Sequence, residues 1–409
     1  MVNASNLTLG NAKALNTVKI LDLLRAQEGA TVADISQITA IPLATVYRII
    51  HTIMERGLII QTQKVSSING RQPIVYSINP SYAGAVCIII EKLSISVCIS
   101  GMNGRVFQMG KKELDSKWEK EDILECIHES ILSLFHEHWK NAAFNEIIKV
   151  IHIAVEADVD REAGKILRCS GISCLDDFEI AAYFQSRYNI PTYLNKLLYV
   201  EAIASIQNYY RYSFENYIYL HIGVGFGATI VIDQKIYFGT NGKAGELVRL
   251  RTPEGLTWEE AYSTSNLYRR LLKAAADNPQ SQLNAILMDS LTHSQAGTVP
   301  PLMKVLDRTL ESECAEATDI LADAVKGWTN AIHLLYTFFD PEVIVIGGDI
   351  SVNTPNVFNE IRKELCRGSS FEGVVLPAEY ETSLMDAVAL GAMNMLYENV
   401  YEELSAILS

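Results

Sequence analysis

Six of the chain's 24 glycines fall in one run, IGVGFGATIVIDQKIYFGTNGKAGE, from Ile222 to Glu246, which closes on a single carboxylate. Glycine-dense loops after a strand let backbone amides converge on an anion, so phosphate binding, and with it ATP chemistry, is the first chemistry this run suggests. Phosphoryl transfer makes two demands on the rest of the chain: a general base beside the attacking hydroxyl, and amide-lined loops around the phosphates. Whether the run cradles phosphate or positions Glu246 for something else depends on the elements around it.

With 409 residues and 49% hydrophobic content, the chain can bury two or three cores, and more than one domain is expected. No apolar run reaches the roughly 20 residues that span a bilayer, and the start MVNASNLTLGNAKALN lacks a basic and apolar leader, so a soluble cytoplasmic protein without membrane attachment is expected. Cysteines 87, 98, 126, 169, 174, 314 and 366 form no CxxC or CxC pair and read as free, buried thiols. The net charge of -14 is unevenly spread. Residues 1–80 carry seven Lys/Arg against four Asp/Glu, and the remainder 27 against 44. A basic head on an acidic body points to DNA.

Within the head, Ala14, Val18, Leu21 and Leu24 recur at helical spacing. Thr31 and Asp34 have capping-box spacing before a stripe of Val32, Ile35 and Ile38, and Pro42 opens a third helix whose Val46, Ile49, Ile50 and Ile53 face inward until Gly57. Ala44, Thr45, Tyr47, Arg48 and His51 fall on the opposite face, where small, hydroxyl and basic side chains can meet base edges and phosphates. Two alternating runs joined at Asn69-Gly70 then read as a wing, with Gly70 and Arg71 at its tip and Arg71 suited to a minor groove. The plainer alternative is a three-helix cap on a larger domain. TVYRIIHTIMERGLI and the GRQP wing resemble the winged helix-turn-helix of repressors in the ROK family (repressor, open reading frame, kinase). Pro42 and Gln72 depart from the family's more usual Ser and Arg or Lys.

From Tyr82 strand periodicity takes over, first in AGAVCIIIEKLSISVCISGMNGRVFQM, then in IIKVIHIAVEA, IPTYLN, NYIYLHIGVG, ATIVIDQKIYFG and PEVIVIGG, with helical segments between several of them. This is an α/β body of two lobes. Residues 84–395 resemble ROK sugar kinases and repressors in motif order, through VEADVDREAGKI, YNIPTYLNKLLYVEAIAS, GVGFGATIVIDQKIYFGTNGKAGE, DPEVIVIGGDIS and DAVALGAMNML. The resemblance implies a winged helix-turn-helix at 1–80 ahead of an actin-like, ribonuclease-H-like sugar-kinase fold. The smaller lobe is then 83–198 with 383–409 and the larger 199–382.

Both demands of phosphoryl transfer go unmet. The family's kinases follow the sugar-binding Asn with a catalytic Asp, whereas Asn195 here is followed by Lys196, whose ammonium has no lone pair to accept a proton. In the first phosphate loop, Ile89 stands for the acid, Glu91 and Lys92 for two glycines and Leu93 for the threonine. The family's zinc site also lacks its ligands: Arg249 occupies the His position and the three cysteines are absent from GELVRLRTPEGLTWEEAYS, so neither a metal nor a cofactor is implied. His128, His136 and His138 read as surface residues of an amphipathic helix.

The sugar side survives. The resemblance implies ligand-binding roles for Asn195, Lys196, Gly245, Glu246, Arg249 and Glu260, the carboxylates and carboxamide exchanging hydrogen bonds with a polyol and Arg249 facing a phosphate or carboxylate on it. Glu246 and Glu260 as ordinary solvated charges are the plainer alternative. The expected function is a sugar-responsive transcriptional regulator that binds a sugar or sugar derivative between the lobes without phosphorylating it, represses carbohydrate uptake or catabolism genes, and meets a two-half-site operator as a homodimer or homotetramer. Two alternatives stay open: a sugar kinase with an added DNA-binding head, and a regulator signalled by a protein partner.

Overall fold

The computed structural model describes residues 12–63, 74–115, 117–140, 142–169, 171–207, 214–292, 302–312, 314–350, 354–367, 371–378, 388–389 and 391–392. The chain divides into two compact units, Met1–Val200 with Leu384–Ser409 and Glu201–Ser383.

The first unit begins with α1 (Ala12–Gln27), β1 (Ala30–Thr31), α2 (Val32–Thr39), α3 (Leu43–Glu55), β2 (Ile59–Gln63) and β3 (Ile74–Ile78). Ala14, Val18, Leu21 and Leu24 are buried, as their spacing requires, and so are Ile49, Ile50 and Ile53 of α3. Each such side chain contributes roughly 1.5–3 kcal/mol when fully buried, alanine less. Thr31 caps α2 as expected: its Oγ1 accepts from the Asp34 amide at 3.2 Å, and Asp34 Oδ2 accepts from the Thr31 amide at 3.0 Å. Ile38 departs from expectation. It is 54% exposed, because α2 stops at Thr39 and Ala40 adopts a left-handed backbone with φ 56° that turns the chain away. The two-residue β1 is too short to leave a periodic signal, yet it completes the sheet β1-β3-β2 by pairing Ala30 with Tyr76 and Thr31 with Val75.

A strap leads out of the wing. The Asn79 amide donates to Leu58 O at 2.9 Å and its Nδ2 to Gly57 O at 2.7 Å, while Pro80 O accepts from the Met102 amide at 3.1 Å. Glycine is required at 101, since a Cβ there would come within 2.4 Å of both Pro80 O and the Phe107 ring.

The same unit continues through β4 (Gly84–Glu91), β5 (Ser94–Gly101), β6 (Val106–Glu113), α4 (Lys120–His138), α5 (Phe144–Ile147), β7 (Ile148–Val155), β8 (Asp158–Asp160), β9 (Lys165–Arg168), α6 (Ile180–Tyr188) and β10 (Thr192–Lys196). Its sheet runs β10-β7-β4-β5-β6. The central β4 and β5 are buried along nearly their whole length, β4 as the apolar run AVCIII and β5 as Ile95, Val97 and Ile99 alternating with buried Ser94, Ser96 and Ser100. Helix α4 lays Ile123, Ile127, Ile131 and Phe135 into this core.

After α7 (Leu197–Gln207) the second unit contains β11 (Tyr217–Ile222), β12 (Phe226–Ile232), β13 (Lys235–Ile236), α8 (Trp258–Tyr262), α9 (Thr264–Asp277), α10 (Gln282–Thr292), α11 (Leu302–Glu311), α12 (Ala315–Phe339), β14 (Val343–Gly348), α13 (Pro355–Cys366) and β15 (Val375–Pro377). Its sheet runs β13-β12-β11-β14-β15. Counted within each unit, both sheets have the order fifth, fourth, first, second, third, with the first three strands antiparallel and the last two joined in parallel. This duplicated sheet is the actin-like, ribonuclease-H-like architecture. Cys87, Cys98, Cys169 and Cys314 are buried as expected, whereas Cys366, at the end of α13, is exposed.

The glycine run forms the β11–β12 hairpin and the loop after β13. At Gly245 φ is +79°, the Ala228 amide donates to Gly245 O at 2.9 Å, and a Cβ would lie 1.9 Å from Ala228 O. At Gly242 φ is +63° with nothing within 4 Å. Gly242→Ala is therefore expected to cost about 1–2 kcal/mol from its left-handed backbone alone. Gly245→Ala adds a backbone collision and should cost clearly more, or prevent folding. Urea unfolding of both variants checks this, equal costs being contrary to the close approach.

Candidate DNA-binding face and ligand-binding residues

Helix α3 buries Val46, Ile49, Ile50 and Ile53 and turns the remainder outward. Tyr47 is 57% exposed, Arg48 and His51 are exposed, and Thr45 is half-buried. His51 Nδ1 lies 3.3 Å from Glu55 Oε2, an i,i+4 pair on the same outward face. Thr45, Tyr47, Arg48 and His51 are thus brought together as expected. Gly70 and Arg71 lie outside the described residues.

In the first unit, Asn195 stands on the edge strand β10, its carboxamide Nδ2 3.0 Å from Nε2 of His152 on β7. The other ring nitrogen, Nδ1, lies 3.2 Å from the carbonyl of Val388. A carbonyl only accepts, so Nδ1 carries the proton; burial disfavours the imidazolium and pulls the His152 pKa down to about 4, against a weaker opposing effect of the Val388 bond. Neutral Nε2 therefore accepts from Asn195, and the amide orientation follows. The carboxamide oxygen and the second N–H of Asn195 are not used in this bond. Asn195 also lines a cavity of about 460 Å³ with Arg161, Gln185, Thr192 and Tyr193.

Lys196, one residue on, behaves differently. It is buried, and its Nζ lies 3.2 Å from Asp158 Oδ1 and 5.9 Å from the centre of the Tyr199 ring. The ammonium is engaged by a carboxylate of β8, so the structure gives Lys196 a counter-ion where the sequence suggested a ligand.

In the second unit, Gly245 and Glu246 line a cavity of about 500 Å³ together with Tyr237, Asn241, Lys243 and Leu335. Both cavities fall within the roughly 300–1,000 Å³ typical of small-molecule sites. Arg249 sits exposed on the single turn Leu247–Arg249 and Glu260 on α8; neither lines that cavity. Glu260 is occupied by a helix cap: its Oε2 accepts from the Thr257 amide at 2.7 Å and from Thr257 Oγ1 at 2.8 Å, bonds that hold its pKa below the usual carboxylate range.

Carboxylates also hold the loops that would have to cradle phosphate. Where the first phosphate loop would lie, the Lys92 amide donates to Glu156 Oε2 at 3.3 Å, Glu91 accepts from Ser94 Oγ at 2.8 Å, and Leu93 is 73% exposed. In the second unit the Phe226 amide donates to Glu259 Oε2 at 3.3 Å, and Thr264 Oγ1 donates to Asp349 Oδ2 at 2.5 Å. The Lys92 and Phe226 amides and the Thr264 hydroxyl each have a carboxylate acceptor within the protein. Among the described residues, no three His, Cys, Asp or Glu side chains are grouped to hold a metal ion, and no helix is long and apolar enough to cross a membrane.

The profile of the ROK family matches residues 86–252, and that of the IclR helix-turn-helix domain matches residues 14–63. The chain carries a ROK-family domain behind an IclR-type helix-turn-helix. It is similar to the xylose repressor of Staphylococcus xylosus, at 23% identity over 92% of each chain. It is also similar to the N-acetylglucosamine repressor of Escherichia coli, at 20% identity over 83% of this chain and 81% of that one. A solved ROK-family transcriptional regulator, a homologue of the Escherichia coli MLC protein, superposes with a TM-score of 0.73 at 17% identity over 96% of this chain and 98% of that one. A ROK glucokinase from Streptomyces griseus, solved with glucose and AMPPNP, superposes with a TM-score of 0.60 at 18% identity over 76% of this chain and all of that one (100%).

Several residues escaped sequence reasoning. Glu156, Asp158, Glu259 and Asp349 are carboxylates whose partners lie far along the chain, and His152 is the one polar ring in the strand IKVIHIAV. Its lowered pKa has a consequence for stability. An unfolded histidine titrates near 6.5, so below that pH the unfolded chain binds a proton that folded His152 refuses until about pH 4. Stability contributed by neutral His152 is full above pH 6.5 and is lost as pH falls toward 4, at up to ~1.4 kcal/mol per pH unit. Between pH 6.5 and 4.5 the wild type should lose about 2 kcal/mol more than His152→Gln. Parallel urea titrations measure the difference, and superimposable pH profiles would contradict a neutral buried ring.

Proposed function

We propose that this protein is a sugar-responsive DNA-binding transcriptional regulator, a repressor of carbohydrate uptake or catabolism genes, that binds a sugar or sugar derivative without phosphorylating it. The observation that carries the reading is the outward face of α3, with Tyr47, Arg48 and His51 exposed over a fully buried Val46, Ile49, Ile50 and Ile53. A helix so divided can enter a major groove. Arg71, at the sequence-assigned wing tip, adds a minor-groove or phosphate contact.

Asn195 and Glu246 are the groups assigned to the effector's hydroxyls. The names of the relatives, xylose repressor and N-acetylglucosamine repressor, put a pentose and an amino sugar first among effectors to try. Glu156, Glu259 and Asp349 on the loop amides and hydroxyl, with Lys196 engaged by Asp158, support binding without transfer. A cytoplasmic homodimer would set two α3 helices on two half-sites, and an effector that favours one arrangement of the heads changes DNA affinity by its differential binding to the two states.

The test is selection of DNA from a random library by the full-length protein, followed by anisotropy titrations. Arg48→Ala should cost about 1–3 kcal/mol and relax one base position, and Arg71→Ala should weaken binding while lowering the salt slope by about 1. Unchanged affinity in both variants would sink the assignment. With D-xylose or N-acetyl-D-glucosamine, melting temperature should rise and no ADP should form from ATP; turnover that vanishes in Asn195→Ala would instead make the protein a kinase.

A further inference from the structure

His152 is 1% exposed in a strand otherwise made almost wholly of buried aliphatic side chains. A buried imidazole without partners costs several kcal/mol relative to an alkyl group, and its two bonds offset that cost. They reach opposite ways. Nδ1 meets Val388 in the helical turn that includes Ala389, Gly391 and Ala392, and Nε2 meets Asn195 on the neighbouring strand. The turn is pressed against the ring: a Cβ at Gly391 would lie 2.9 Å from His152 Cε1 and 3.3 Å from Nδ1.

The logic is directional. Val388 offers only lone pairs, which fixes the proton on Nδ1; the bare Nε2 can then only accept, which fixes the NH2 of Asn195 inward. Were the Val388 carbonyl to withdraw, the other tautomer would become available and Nε2–H would call for the carboxamide oxygen instead. Asn195 would rotate end for end. Its face toward a ligand would change from acceptor with one N–H to a purely donating amide.

We propose that His152 is a positioning residue for Asn195: it holds the carboxamide oxygen outward to accept a ligand hydroxyl, and it ties that orientation to the docking of the turn at Val388. The proposal rests on the reading of Asn195 as a hydroxyl-binding group. It makes the turn around Val388 a part of effector recognition, although nothing in that turn has to touch the effector.

Two measurements separate the proposal from the reading it rests on. In full-length protein labelled with 15N-histidine, His152 should show a protonated Nδ1 and a bare Nε2, with Asn195→Ala moving the Nε2 resonance most; an Nε2–H tautomer would overturn the proposal whether or not any sugar binds. In calorimetry with D-xylose and N-acetyl-D-glucosamine, His152→Gln, which keeps an acceptor near the Nε2 position, should stay within about threefold of wild type. His152→Asn, too short to reach Asn195, should weaken binding at least tenfold while melting within a few degrees of His152→Gln. Gly391→Ala, which crowds the ring, should weaken binding at least fivefold. Wild-type affinity in His152→Asn would refute the positioning role, and wild-type affinity in Gly391→Ala would refute the tie to the turn. If neither sugar binds the wild type, the choice of effector falls, and the tautomer alone decides how Asn195 is held.

Discussion

An imidazole sealed inside a sheet must find one acceptor and one donor, and His152 finds them in Val388 and Asn195. That requirement links β7, β10 and the turn at Val388. The strand β7 that carries His152 is parallel to both neighbours, β4 and β10, so its face can carry one polar ring only where a covering element supplies a carbonyl. The turn at Val388 supplies it, and glycine at 391 lets that turn come close enough. A single pair of bonds therefore joins a central strand, an edge strand and the chain's last described turn.

The duplicated sheets show how far a fold can be kept while its chemistry changes. Strand order is the same in both units, and the glycine run still makes its hairpin, with Gly245 O accepting from Ala228 N. What differs is the charge in the loops. Glu156 takes the amide of Lys92 and Glu259 that of Phe226, so these two donors are satisfied from within the protein. A backbone donor spent in this way needs no anion. Gly245 then serves close packing against Ala228 and Gly242 a left-handed turn, and Glu246, next to Gly245, lines a cavity.

Local physics was legible in the sequence and distant pairing was not. The helical spacing of Ala14, Val18, Leu21 and Leu24, the Thr31–Asp34 cap and the two-sided hydrophobicity of β4 all depend on residues within a few positions of one another. Strands as short as Ala30–Thr31 and Val375–Pro377 carry no period to read. Ile38 fits a stripe by spacing but lies at the helix end, where the left-handed Ala40 ends the face. The partners of His152 lie 43 and 236 residues away, beyond any pattern rule. Glu260 is the instructive case: Thr257 three residues before it has the same capping-box spacing as Thr31 and Asp34, a local signal that outranks its resemblance to a sugar ligand.

The strap from Asn79 to Gly84 bears on how a signal can travel. One end is bonded to Leu58 and Gly57 in the head, the other to Met102 at the β5–β6 turn, and Gly101 removes the side chain that would hold them apart. The exposed Arg105–Glu28 pair at 3.3 Å adds little to this, since such pairs are worth under about 1 kcal/mol. The head is thus geared to the β5–β6 turn by backbone. Asn79 and Pro80 are adjacent, so a single peptide link separates the bonds that enter the head from the bond that enters the β5–β6 turn.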